Sequence, residues 1–158
     1  MRRIVRATVL ALAAVSLLAS LALAASVHFK GEQTFTDNGL TLTADGELAG
    51  LGNADVLIVL SAVGDGSALC RNRGGNVAPG QNKIPVLVTA TQTVLAEEIK
   101  NGTTPYRLTT AGPAQPTAAQ AGCPNGNWTA EINDVVFSSA TISVEQGGAV
   151  VLEQTFGL

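Results

Sequence analysis

Beyond residue 25 the chain alternates apolar and polar positions with a period of two, the pattern of strands with one buried face. Leu40, Leu42 and Ala44 alternate with Thr41 and Thr43, and Ile84, Val86, Val88 and Ala90 share one face of a later segment. Pro85 stands near the start of that segment, where a missing donor is tolerated. Trp128, Ala130 and Ile132 oppose Thr129, Glu131 and Asn133, and Ala140, Ile142 and Val144 oppose Thr141, Ser143 and Glu145. Val56–Leu60 is apolar throughout, at a length that suits a strand covered on both sides better than a helix.

Turn chemistry divides these runs. Asp45-Gly46 predicts a hairpin-type turn, and Gly147-Gly148 predicts a closing hairpin into Ala149–Phe156. Asn133-Asp134 predicts a bend, because a strand continued in register would point the Asp134 charge into the core. Only Leu95–Lys100, "LAEEIK", reads as a helical turn. Seven to nine short strands with regular turn signals predict an all-β fold, a single antiparallel β-sandwich of immunoglobulin-like type, with a small β-barrel as the alternative. Trp128 follows both cysteines rather than lying between them, so the tryptophan-on-disulfide packing of antibody domains does not transfer. Thr109–Gly122, rich in Ala and Pro, predicts a long surface loop held at its far end by Cys123.

The first 24 residues carry a different pattern. Arg2, Arg3 and Arg6 precede a mostly apolar run from Ala7 to Ala24, and Ala22-Leu23-Ala24 supplies the small residues that signal peptidase accepts. Residues 1–24 are therefore read as a Sec-type signal peptide and 25–158 as one secreted domain; a retained membrane anchor is the alternative. No cysteine follows the run to take a lipid, and Arg2-Arg3 alone is too little for a twin-arginine signal.

Cleavage changes the charge. The whole chain has net charge −3; without the three leader arginines, six basic residues face twelve acidic ones, a net −6. An acidic chain with no basic stripe argues against nucleic acid, whose affinity rests on phosphate contacts, and against an anionic membrane surface. In an oxidising compartment the two cysteines, Cys70 and Cys123, predict one disulfide, with two free thiols or an intermolecular bridge as alternatives. A lone His28 and two cysteines supply too few ligands for a metal site, and no cofactor is expected.

Catalytic constellations are equally sparse. His28 lies in "SVHFK" as an exposed strand residue, and no G-x-S-x-G elbow accompanies it. Glu97, Glu98, Asp45, Glu47, Asp55, Asp65 and Asp134 offer carboxylate pairs for glycoside chemistry, but Asp45, Asp65 and Asp134 sit in Gly- or Asn-bearing turn contexts. "TDNG" and "GDG" lack the spacing of an EF-hand loop. Asn101-Gly102-Thr103 and Asn127-Trp128-Thr129 match the N-glycosylation pattern and are read as unused.

"CRNRGGNVAPGQNKIP", Cys70–Pro85, is the segment with the richest recognition chemistry. A Cys70–Cys123 bond would draw Arg71, Asn72, Arg73 and Asn76 towards Asn125, Asn127 and Trp128. Amides, guanidinium groups and an aromatic face suit a sugar or a peptide backbone. The competing reading is structural: Gly74-Gly75 and Pro79-Gly80 form turns, the asparagines cap them, and Trp128 belongs to the core.

The stretches "CRNRGGNVAPGQN", "FTDNGLTLTADGELAGLGNAD" and "CPNGNWTAEINDVVFSSATISVEQ" resemble a group of small secreted bacterial β-rich proteins of unassigned function, which share a C-x-N-x-G-G-N-x-A-P-G-Q-N loop. The resemblance implies export, one β-rich domain and a disulfide, and implies no activity. The sequence thus favours a non-enzymatic extracellular binding or surface-interaction module with an unknown glycan or protein partner. The alternatives are a self-assembling surface-layer or coat component, a carboxylate hydrolase and a secreted inhibitor acting through Thr109–Gly122.

Overall fold

Strands follow one another along the chain in a computed structural model that describes residues 26–158. The leader read at residues 1–24 lies outside the described residues. Among the described residues there are eight strands: β1 (His28–Asp37), β2 (Leu42–Ala49), β3 (Val56–Arg71), β4 (Val77–Pro79), β5 (Ile84–Val94), β6 (Thr104–Thr109), β7 (Thr129–Gln146) and β8 (Ala149–Gly157). They form two antiparallel sheets. One has the order β1-β2-β6; in the other β4 and β5 both pair with one side of β3, and β7 and β8 follow on its other side.

The alternating positions meet between the sheets. Leu42, Ala44 and Leu48 of β2, with Tyr106 and Leu108 of β6, pack on Val56, Ile58, Leu60 and Ala62 of β3 and Ile142 and Val144 of β7. Phe29 and Phe35 of β1 approach Phe156 of β8, with centroids 5.5 and 5.0 Å apart, and fill one open side of the sandwich. On the other side the sheets touch without a ladder: the Ala111 amide donates to the Thr89 carbonyl at 3.1 Å, and the Arg107 amide to Gln92 Oε1 at 3.3 Å. The two sheets remain separate, as in a sandwich rather than a closed barrel.

Three turn expectations are corrected. Asp45-Gly46 lies inside β2, and the turn between β1 and β2 uses Gly39 instead (φ 83°), whose amide donates to Asp37 Oδ1 at 2.8 Å. Gly46 answers a need for space: a Cβ there would meet Gln33 Oε1 and lie 2.6 Å from the Tyr106 hydroxyl oxygen. Asp65 lies within β3, 3.7 Å from Lys83, and Asp134 lies within β7.

Asn133-Asp134 does not end a strand. It belongs to a β-bulge, an extra residue on β7 relative to β3 between the Ser67 and Ala68 pairings, and a second bulge falls between the Val63 and Gly64 pairings. Each bulge flips the face that the following residues present. The buried set therefore runs Ile132, then Val135 and Phe137, then Ala140, Ile142 and Val144, along one 18-residue strand. The bulge amides find partners elsewhere: Val135 N donates to Gly39 O at 2.8 Å and Ile132 N to Gln115 Oε1 at 3.0 Å.

The expected helical turn at Leu95–Lys100 is a single 3-10 turn, Ala96–Glu98. The segment Thr109–Gly122 contains an element that the sequence reading missed, the short helix α1 (Ala118–Ala121), capped by Thr117 at its start and by Gly122 in the left-handed region (φ 67°) at its end. Among the described residues no helix is long and apolar enough to cross a membrane.

Tyr106, the chain's one tyrosine, is buried on β6, and its hydroxyl donates to Gln33 Oε1. Burial, and secondarily the negative charge of Asp45, push its pKa well above the usual phenol value. A pKa raised by folding contributes stability that is complete below the unfolded value of about 10 and is lost as pH climbs beyond it. Phenolate absorbance on alkaline titration should therefore appear together with loss of the β-sheet circular dichroism. A reversible titration near the free-tyrosine value in a folded chain would contradict this placement.

Candidate functional site

β3 and β7 are longer than the sandwich beneath them, and their paired ends, Ala68–Arg71 against Thr129–Ile132, overhang it. Inward-facing Ala68 and Cys70 need another cover there. The Ala121 side of α1 supplies it, and Ile84, Cys123, Trp128 and Ala130 complete a second, small apolar cluster. Cys70 and Cys123 are bonded, with Cα atoms 5.7 Å apart across a sequence separation of 53. The intramolecular bridge expected from the sequence is therefore formed, and it fastens α1 and its loop to the end of β3.

The segment "GGNVAPGQN" divides into two structural devices. Asn72 N donates to Asn76 O at 3.0 Å and Gly75 N to Asn72 O at 3.0 Å, while Asn76 N donates to Asn72 Oδ1 at 2.9 Å, closing the turn between β3 and β4. Gly75 takes φ 83°, which a side chain would resist. Further on, Gly80 and Asn82 clasp α1. Gly80 N donates to Ala68 O at 2.7 Å, and a Cβ on Gly80 would lie 2.6 Å from Ala121 O, so only glycine allows this approach. Asn82 donates through its amide side chain to Gln120 O at 3.1 Å and through its backbone to Ala121 O at 3.2 Å.

Opposite this turn, Asn125 organises a second one: its Oδ1 accepts from Asn127 N at 3.0 Å and its carbonyl from Trp128 N at 3.3 Å. Thr129 Oγ1 donates to Arg71 O at 3.2 Å and ties the two turns together. Between them lie two adjoining open depressions, each of about 440 Å³. One is lined by Asn72, Arg73, Gly74, Asn125, Asn127 and Trp128. The other is lined by Arg71, Asn72, Arg73, Gly126, Asn127, Trp128 and Thr129.

Six of the seven candidate residues thus meet in one place. Asn76 does not; it serves the β3–β4 turn through its backbone. Asn72 and Asn125 each spend their side-chain oxygen on their own turn, and among the described residues their amide nitrogens have no hydrogen-bond partner. Among the described residues, the side chains of Arg71, Arg73, Asn127 and Trp128 make no hydrogen bond to the protein. Trp128 is half-buried, with the Ala68–Cys70–Ala121 cluster on one side and the depression on the other. The core contact that one sequence reading expected is therefore present, on a ring that also lines the depression.

No protein-family model and no curated protein matches this chain. Thr129 and Gly126 also line the depressions and were not anticipated; the strand register that sets Thr129 opposite Arg71 is invisible in a one-dimensional pattern.

Five of the seven carboxylates considered for catalysis, all but Glu97 and Asp134, have local structural work. Asp45 pairs with Arg107 at 3.4 Å and Glu47 with Lys30 at 3.0 Å. Asp55 Oδ1 accepts from Ala96 N and Glu98 Oε2 from Leu95 N, both at 2.8 Å, fixing the 3-10 turn. Among the described residues no group of three His, Cys, Asp or Glu side chains is placed to share a metal ion.

Proposed function

We propose that this protein is a secreted, non-enzymatic binding module of immunoglobulin-like type that holds an extracellular glycan at the Trp128 end of its sandwich. The observation that carries the reading is the meeting of Arg71, Arg73, Asn127 and Trp128, from two segments joined by a disulfide, around open space with their side chains uncommitted to the protein. A flat indole face packs on the apolar face of a sugar ring, and amide and guanidinium donors meet its hydroxyl groups. Trp128 and the turns are held by the second cluster and the bridge, so little ordering is required on binding.

Export is supported by the leader pattern and by the formed disulfide, which belongs to oxidising compartments. The immunoglobulin-like assignment is supported by the connectivity: the first, second and sixth strands share one sheet, and β5, β3, β7 and β8 run side by side in the other. The bridge does not join the two sheets as in antibody domains; it joins β3 to the loop before β7. The engagement of Asp45, Glu47, Asp55 and Glu98 in ion pairs and turn caps supports a role without catalysis.

The test is a screen of the oxidised protein against immobilised oligosaccharides, with Trp128→Ala in parallel. Binding should occur and should weaken at least tenfold in the variant, as removal of a central aromatic anchor costs about 2 kcal/mol. Absence of any saccharide ligand, or undiminished binding by the variant, would contradict the proposal.

A further inference from the structure

Six basic residues lie beyond the leader, and their partners divide them sharply. Lys30, Lys83 and Arg107 pair with Glu47, Asp65 and Asp45. Lys100 donates through Nζ to the Glu97 carbonyl at 2.8 Å. Arg71 and Arg73 alone have no acceptor among the described residues, although acidic residues outnumber basic ones two to one over this part of the chain. Both line the same depression, beside Trp128. The first carboxylate along β7, Glu131, stands opposite Leu69 and is bonded to neither arginine. An acidic protein therefore keeps an uncompensated pair of guanidinium groups at its candidate site.

From this we infer that the ligand is an anionic saccharide, with a carboxylate or sulfate on its ring held by Arg71 and Arg73 while the ring packs on Trp128. The inference rests on the glycan reading above and names its chemical class. A planar guanidinium offers paired donors that match the oxygens of a carboxylate or sulfate, and a charge-assisted bond is roughly twice as strong as a neutral one. The remaining donors, on Asn127 and the free amide nitrogens of Asn72 and Asn125, suit ring hydroxyls better than further charge. An acidic peptide would satisfy the arginines but would leave the indole face and these amides without matched partners. Because the rest of the surface is acidic, attraction is confined to this end, and it is screened by salt.

The experiment uses the oxidised protein and four probes: trigalacturonic acid, its fully methyl-esterified form, a sulfated oligosaccharide of similar length, and oligoglutamate. Binding is read by the emission of Trp128, the chain's one tryptophan. Trigalacturonic acid or the sulfated probe should bind about tenfold more tightly than the methyl ester, with affinity falling as salt rises. Whichever of the two binds more tightly identifies the anionic group. Arg71→Gln/Arg73→Gln should abolish that preference while leaving the thermal midpoint in place. Binding of the methyl ester as tight as that of both anionic probes would overturn the anionic inference and leave the glycan reading standing. Failure of every saccharide would overturn both, as would preferential binding of oligoglutamate.

Discussion

Replacing both bridge cysteines, Cys70→Ala/Cys123→Ala, should lower the unfolding free energy by about 4 kcal/mol, the chain-entropy value for a loop of this length. For a domain of this size the thermal midpoint should fall by on the order of 10–20 °C. The loss should be uneven. The main core between the sheets contains neither cysteine, so far-UV circular dichroism at low temperature should stay β-like. The second cluster is built on Cys70, Ala68 and Ala121, and without the bridge it keeps only the clasp through Gly80 and Asn82. Trp128 packs on that cluster, so its emission should shift to the red and quench more readily. An unchanged midpoint with unchanged Trp128 emission would show that the bridge does not hold this end.

Truncation at the centre of the main core should be nearly as costly and should affect the whole molecule. Leu60 of β3 and Ile142 of β7 are paired directly across the ladder, and both are fully buried. Leu60→Ala and Ile142→Ala should each cost about 3–4 kcal/mol in urea unfolding, the sum of lost transfer energy and an incompletely closed cavity. The double variant should cost less than the sum, because the two side chains share one space. Thr91→Ala, on the outer face of β5, should change stability by less than about 0.5 kcal/mol. Equal effects at Thr91 and Leu60 would mean that the inward and outward faces have been exchanged.

That face assignment was readable directly where period-two alternation runs unbroken, as in β5 and in the Ala140–Val144 part of β7. It failed where backbone geometry overrides local turn signals. Gly64 and Gly66 make β3 look interrupted after Leu60, yet the strand continues to Arg71. A Cβ on Gly64 would lie 2.4 Å from Val136 O, so this glycine permits close strand approach at a bulge instead of a turn. Of the two bulges of β7, the parity change at Asn133-Asp134 was legible as an expected bend, whereas the one at Ser138 changes parity without a breaker residue and only the partner strand reveals the extra position.

The candidate site was legible as a composition, cysteines flanked by Arg and Asn with a tryptophan nearby, because the disulfide supplies the one long-range constraint that a sequence states openly. The devices that hold the site were not. Asn82 reaches α1 from 38 positions away, and Gln115 reaches the β7 bulge from 17. Both are ordinary loop amides whose partners exist only after the chain has folded. For Asn76 the sequence left both readings open, because a turn-closing asparagine and a ligand-facing one have the same local sequence.

Fluorescence tests directly whether the Trp128 ring is a supported platform open on one side. In the oxidised protein, acrylamide should quench the emission to an intermediate degree, and a saturating saccharide identified in the screen should protect it. Protection should disappear when the disulfide is reduced. Emission that acrylamide scarcely quenches, and that no saccharide alters, would place the ring wholly in the core and contradict a binding site at this end of the sandwich.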